Sequence, residues 1–126
     1  MRPADRFAVF PELHLTVEPL PGQGLRVRAA GEVTAENVAQ LCGALLRAID
    51  DVRALAVEVD LGLVTFIDST AIGKLVSTRA HAISSGSDLW IVHPSPGVRR
   101  VLSLLGLLET LSTPTGTSGW APPKSA

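Results

Sequence analysis

The segment V-T-F-I-D-S-T-A-I-G-K, Val64 to Lys74, leads from a predicted loop with an apolar run into a predicted helix through three consecutive polar residues. Asp68 is a good helix N-cap, because its carboxylate accepts a hydrogen bond from a backbone N–H of the first turn. Ser69 and Thr70 then occupy that turn. A cap needs one short polar residue, so three of them indicate a surface that displays a hydroxyl group at its edge. Gly73 indicates the same, since a glycine inside a helix costs about 1 kcal/mol relative to alanine.

A purely structural interpretation of the same segment stays open. In that interpretation Asp68 caps the helix, and Ser69 and Thr70 only fill its first turn. The small residues Ala71 and Gly73 then let the helix pack closely on a sheet.

Alternating apolar and polar residues predict four strands in the chain. The first strand begins at Leu13 and the second at Leu25, and the turn-forming residues Pro19 to Gly24 between them favour an antiparallel hairpin. The third strand covers Ala54 to Leu61 and is followed by a loop. The fourth covers Asp88 to Val92.

Three helices are predicted from apolar residues that recur at helical spacing. Thr34 is expected to cap the first helix, with Glu36 in its first turn, and Ser95 to cap the third. The second helix begins near Ser69. Its predicted apolar stripe consists of Ile72, Leu75, Val76, Ala80 and Ile83.

The order of these elements decides the predicted fold class. Strand–helix–strand crossovers imply parallel pairing with right-handed connections, next to one antiparallel hairpin. Because the strands alternate, one face of the sheet is expected to be buried and the other polar. The sequence therefore predicts an α/β fold, a small mixed β-sheet with helices mainly on one face.

The chain has 126 residues, enough for one domain with its own core. We expect residues 1–12 to be an irregular lead-in and residues 13–111 to form the domain. Residues 112–126 are rich in Thr, Pro, Gly and Ser, which is typical of a flexible, mostly disordered tail. Trp120 in that tail is either a docking anchor or a disordered bystander.

Composition narrows the classes of function. The formal net charge of −1 gives no electrostatic reason to expect a nucleic acid or an anionic membrane as partner. No apolar run approaches the ~20 residues that span a bilayer. One cysteine excludes a disulfide framework and a cysteine-rich zinc site. The sequence predicts a cytoplasmic protein with no metal and no cofactor.

Motifs of common enzymes are missing from the sequence. It contains no G-x-S-x-G, GxxxxGK[ST], GxGxxG or HExxH. The three histidines are scattered, and Cys42 lies on the apolar stripe of the first helix, where a small buried side chain is expected. We therefore predict that the chain is not an enzyme, with a hydrolase that uses Ser69 as a remote alternative.

Four blocks of the sequence resemble the STAS domain family, found in bacterial anti-sigma-factor antagonists. Asp60 to Leu75 resembles the family signature around D-S-[ST]-x-x-G, and Gly31 to Val33 resembles the turn before its first helix. Val92 to Leu102 and Leu104 to Leu107 resemble two segments towards its end. The resemblance runs in register from about Leu13 to Leu111.

The resemblance implies a phosphorylation switch in place of catalysis. In such a protein the partner is an anti-sigma factor that is also an ATP-dependent serine kinase, and it phosphorylates the position of Ser69. The unphosphorylated antagonist binds the anti-sigma factor and frees the sigma factor. The phosphorylated form is released, and a phosphatase resets Ser69. The residues that the resemblance implies for partner binding are Asp68, Thr70, Glu32, Thr34 and Gly73.

The chain departs from the family pattern at two positions in or beside this set. Thr34 stands where the family usually has an acidic residue, and Ala71 stands where it often has glycine. An alternative therefore stays open, namely a non-phosphorylated STAS subunit of a lipid-transport or stress-signalling complex. A weak homodimer also stays open, through the outward sheet face that carries Arg26, Arg28, Glu58 and Trp90.

Overall fold

The computed structural model describes residues 12–122, so the predicted lead-in lies outside the described residues except for Glu12. Four strands and four helices form within this range. Their order is β1 (His14–Leu20), β2 (Gly24–Val33), α1 (Val38–Asp50), β3 (Ala56–Ile67), α2 (Ser69–Ser84), β4 (Leu89–Val92), α3 (Pro96–Leu104) and α4 (Leu108–Ser112).

The strands form one sheet in the order β1-β2-β3-β4. β1 pairs with β2 antiparallel, and the other two pairings are parallel. This confirms the predicted α/β fold with a small mixed sheet. None of the helices within residues 12–122 is long and apolar enough to cross a membrane.

One apolar core joins the helices to the sheet. Val27 and Val59 are fully buried neighbours on β2 and β3, and alternate residues along each strand face the same side. The helix side chains that complete this core are Leu41, Leu45, Ile72, Leu75, Val98, Leu102 and Leu111. Cys42 is half-buried against the same core, as a small apolar side chain. The face of the sheet that carries Val27 and Val59 and packs against the helices is called the core face, and the opposite face of the sheet is called the outer face.

The prediction that Thr34 caps the first helix is wrong. The helix begins at Val38, preceded by a turn that includes Glu36, so Glu36 lies outside the first turn. Asn37 holds this turn, because its side-chain oxygen accepts a hydrogen bond from Thr34 N and its amide nitrogen donates to Glu32 O, at 2.9 and 2.8 Å. The end of β2 and the start of α1 are thereby tied together.

The third strand is longer than predicted, and the loop expected after Leu61 is wrong. β3 continues to Ile67 because β2 pairs with it to the end, with Val33 opposite Ile67. Two register shifts in the pairing of β2 with β3, each with one extra residue on β3, interrupt the alternation that the sequence pattern relies on. One shift lies at Gly31, where φ is +117° and an added Cβ would stand 2.6 Å from the backbone oxygen of Glu12.

The apolar stripe of α2 also differs from its prediction. Ile72 and Leu75 are buried, but Val76 and Ala80 are exposed. Arg79 is buried in their place, and its guanidinium donates to the backbone oxygens of Leu89 and Thr113, at 2.7 and 2.9 Å. A buried arginine is tolerated because backbone carbonyls satisfy its donors.

The outer face of the sheet carries paired charges. Arg26 donates two hydrogen bonds to Glu58 Oε1, at 2.9 and 2.7 Å, and Arg28 donates one to Asp60 Oδ2 at 3.2 Å. The hydrogen bonding of its guanidinium to the Glu58 carboxylate is the main cause of a raised pKa of Arg26, which stays charged at every ordinary pH. Glu18 on β1 lies 3.7 and 3.5 Å from the two arginines. The charges of Arg26 and Arg28 are therefore neutralised by carboxylates of the same chain.

The described part of the C-terminal segment lies on the domain. The buried carboxylate of Asp88 accepts backbone hydrogen bonds from Thr115 and Gly116. The Trp120 ring lies 5.7 Å from that of Trp90, centroid to centroid, and its Nε1 donates to Pro21 O at 3.1 Å. Residues 113–122 thus differ from the expected disordered tail. The short α4 before them was not predicted either.

Removal of the Trp120 side chain is expected to destabilise the fold measurably. Trp120→Ala is expected to lower the free energy of unfolding by about 1–3 kcal/mol, since it removes an aromatic pair and a hydrogen bond. Urea unfolding followed by circular dichroism measures this. Trp120→Phe keeps a ring against Trp90 and should lose less, and an alanine variant as stable as the wild type contradicts the docking.

Candidate functional site

The carboxylate of Asp68 joins two segments at the start of α2. Its Oδ1 accepts a hydrogen bond from Ala71 N at 2.8 Å, which confirms the predicted N-cap. Its Oδ2 accepts one from Ala35 N at 3.0 Å, in the turn that follows β2. The backbone N–H of Asp68 donates to Val33 O at 3.2 Å. One residue therefore fixes the helix start and the turn of residues 34–37 next to each other.

Ser69 and Thr70 are both exposed in the first turn of this helix. The hydroxyl of Ser69 has no hydrogen-bond partner among residues 12–122, so its oxygen is free to react or to bind. The α2 helix has 16 residues, and Ser69 lies at the end where backbone N–H groups and the helix dipole favour negative charge. An anion on this oxygen can be accommodated without unfolding the helix.

Gly73 lies one helical turn after Ser69, on the same face of α2. It is exposed, and a Cβ added to it would have no heavy atom within 4 Å. Close packing of Gly73 against the sheet is therefore wrong as an interpretation, whereas Ala71 is fully buried, as that interpretation expects. Within the described chain nothing requires a glycine at position 73.

Glu32 and Thr34 are half-buried on the other side of Asp68. They line an open cavity of about 650 Å³, whose other lining residues are Glu12, Leu13, Glu36, Asn37 and Gln40. Three of the seven lining residues are glutamates, and no lysine or arginine lines it among the described residues. The structure thus brings an acidic cavity next to the N-terminus of α2 through the bridge that Asp68 makes.

Asn37 belongs to the candidate site, and the sequence interpretation missed it. Its two side-chain hydrogen bonds shape the turn that carries Thr34 and Ala35, and so place the amide that Asp68 binds. Asparagine is frequent in turns because its side chain bonds to nearby backbone, which is the signal that was available. Within residues 12–122, no group of three or more His, Cys, Asp or Glu side chains could hold a metal ion.

Removal of the Asp68 carboxylate tests its bridging role. Asp68→Ala is expected to lower the free energy of unfolding by about 1–3 kcal/mol, because it removes a helix cap and leaves the amide of Ala35 without its acceptor. Chemical denaturation measures this. Ser69→Ala is the matched control and should change stability by less than about 0.5 kcal/mol; equal losses in both variants contradict the assignment.

The open space at Gly73 gives a second prediction, with the opposite sign. Gly73→Ala is expected to raise the free energy of unfolding by about 1 kcal/mol, since alanine is the better helix former and meets no neighbour. A thermal or urea transition measures the gain. Destabilisation by this substitution shows that the chain itself needs the glycine.

Comparison with solved structures finds the same fold in anti-sigma-factor antagonists. SpoIIAA in its unphosphorylated form has a TM-score of 0.67 at 20% identity, over 79% of this chain and 86% of that one. SpoIIAA of Bacillus in its phosphorylated form has a TM-score of 0.62 at 19% identity, over 79% and 89%. An anti-sigma factor antagonist from Mycobacterium paratuberculosis has a TM-score of 0.68 at 24% identity, over 79% and 83%.

Comparison with curated proteins gave no match. A family model described as "Mlab, STAS domain" matches residues 17–112, from the middle of β1 to the end of α4. The matched stretch includes Glu32, Thr34 and the start of α2 from Asp68 to Gly73, with most of the core that supports them. The chain belongs to the STAS domain family.

Proposed function

We propose that this STAS domain is an anti-sigma-factor antagonist that is switched by phosphorylation of Ser69. Unphosphorylated, it binds an anti-sigma factor that is also a serine kinase. Phosphorylation by that partner releases it, and a phosphatase returns it to the binding state. The observation that carries the proposal is the exposed Ser69 hydroxyl, which has no hydrogen-bond partner among residues 12–122 and stands beside the Asp68 cap.

The physics of this position supports release without unfolding. A phosphate brings about −1.5 to −2 charges to the serine oxygen. In the free protein the N-terminus of α2 and the solvent accommodate that charge. Under a bound partner the same phosphate lies in a desolvated contact, next to the carboxylate of Asp68, so binding loses far more than folding does.

Four residues around Ser69 complete the proposed contact surface for the partner. Glu32 and Thr34 approach it from the acidic cavity, and Thr70 and Gly73 from the exposed side of α2. A glycine at position 73 lets a partner approach the helix backbone closely, which gives a reason for a residue that the fold does not need. Thr34 offers a neutral hydroxyl at a position where the family pattern that the sequence resembles usually has an acidic residue.

The fold comparisons support this role in two ways. SpoIIAA, which has the same fold, is known in an unphosphorylated and a phosphorylated form. A domain of this fold therefore accepts a phosphate. Another neighbour with this fold is described as an anti-sigma factor antagonist. The proposed role is regulated binding in the cytoplasm, needs no catalysis by this chain and involves neither nucleic acid nor membrane.

The test is phosphorylation by the purified serine-kinase-like anti-sigma factors of the same organism, each with ATP. One of them is expected to add one phosphate at Ser69, located by mass spectrometry of the peptides. Ser69→Ala should take no label, and Thr70→Ala, the neighbouring exposed hydroxyl, should be labelled like the wild type. A phosphate that maps to another residue contradicts the proposal.

Binding of the same anti-sigma factor by calorimetry provides the second half of the test. Ser69→Asp is expected to weaken binding by at least ~10-fold, which is about 1.4 kcal/mol, and to unfold within about 0.5 kcal/mol of the wild type. The alternative, a STAS subunit without phosphorylation, predicts co-purification with transport or scaffold proteins and no effect of Ser69→Asp.

A further inference from the structure

Two large apolar side chains are exposed on the outer face, near the end of β3. Leu63 is 60% and Phe66 is 47% exposed. Their neighbours Val64 and Ile67 are buried in the core, so Leu63 and Phe66 face the opposite side of the strand. We call this pair the Leu63–Phe66 strip. It lies directly before Ser69 in the chain.

The other end of the outer face is closed by the chain itself. Arg26 and Arg28 are paired with carboxylates, and Trp120 packs on Trp90. At that end Trp120 therefore covers the Trp90 ring, and carboxylates neutralise the two arginines. It leaves the Leu63–Phe66 strip exposed to solvent at the end where the sheet meets α2.

The strip and the acidic cavity meet at Glu32. Phe66 on β3 is the cross-strand partner of Glu32 on β2, and Glu32 also lines the cavity with Glu12 and Glu36. Thr65, between the two apolar residues, donates to Gly31 O, which keeps the strands together at this level. The strip, the cavity and the start of α2 thus form one continuous surface, with an apolar part and an acidic part.

We infer that the Leu63–Phe66 strip extends the contact surface of Ser69 onto the outer face, and that it takes an apolar side chain of the anti-sigma factor. The inference rests on the proposed function. Because glutamates lie beside the strip, we expect basic residues on the same partner. These basic residues would contact the cavity, which the turn of residues 34–37 joins to the helix start at Ser69. Exposed apolar groups next to a charged rim are the usual composition of a protein contact.

This arrangement limits which partners can bind. The contact surface of the partner must combine at least one apolar side chain, which covers Phe66, with a basic group that reaches Glu32 or Glu36. The apolar contact sets the lifetime of the complex, and the charges set the rate of association. A partner that is acidic at this place is excluded by repulsion.

The experiment compares Leu63→Thr and Phe66→Thr with the wild type, in binding to the anti-sigma factor that phosphorylates Ser69. Threonine suits an exposed strand position, so both variants are expected to fold. Each should weaken binding by about 10-fold, mainly through faster dissociation. Glu32→Gln should slow association and reduce its dependence on salt. Leu104→Gln is the matched control, 77% exposed at the far end of α3, and should change binding by less than about two-fold.

Each outcome decides between the two claims. If the wild type binds and is labelled at Ser69 while the strip variants bind equally well, the inference is wrong and the proposed function stands. If Phe66→Thr instead converts a dimer of this chain to a monomer and leaves anti-sigma binding unchanged, the strip pairs two copies and the inference is again wrong. If no anti-sigma factor binds or labels the wild type, both fall.

Discussion

The bidentate use of the Asp68 carboxylate is the interaction on which the site depends. One oxygen caps α2 and the other holds the turn after β2, so a single side chain fixes two segments that are 33 residues apart. Within residues 12–122, no other side-chain hydrogen bond joins the start of α2 to the turn of residues 34–37. The exposed position of Ser69 and the placement of the acidic cavity follow from this one contact.

The sheet determines where Asp68 lies. Val33 ends β2 and Ile67 ends β3, the two are paired in parallel register, and both are buried in the core. Asp68 follows Ile67 directly and its N–H donates to Val33 O, so the last rung of the sheet positions the cap. On the proposed function, a phosphate on Ser69 changes the charge of this surface and leaves the core below it intact.

The sequence predicted those features that depend on local chemistry. The cap at Asp68, the start of α2 at Ser69 and the cap of α3 at Ser95 were all found from short polar residues ahead of apolar spacing. Apart from the turn at Asn37, the features that it did not predict depend on contacts between distant segments. The alternating pattern of β3 breaks near Gly62, because β3 has one extra residue between Asp60 and Leu63 relative to β2. The predicted strand therefore ended too early, at Leu61.

Two further differences have the same cause. Arg79 is buried because the carbonyls of Leu89 and Thr113 happen to meet it, which helical spacing cannot show. Trp120 lies on Trp90 because Asp88 holds the segment before it, against a composition that is typical of disorder. The site residues near Asp68 were accessible to sequence reasoning, and so was Asn37, whose turn bonds are local, although it was missed. The exposed strip at Phe66 needed the strand pairing to be known.

Amide hydrogen exchange of the protein with and without a phosphate on Ser69 tests most directly whether charge alone operates the switch. The amides of Ala35 and Ala71, which both donate to Asp68, are expected to remain protected in the phosphorylated protein, the form that we propose has lost its affinity for the anti-sigma factor. Loss of protection at both amides on phosphorylation contradicts this, because release then comes from melting of the helix start.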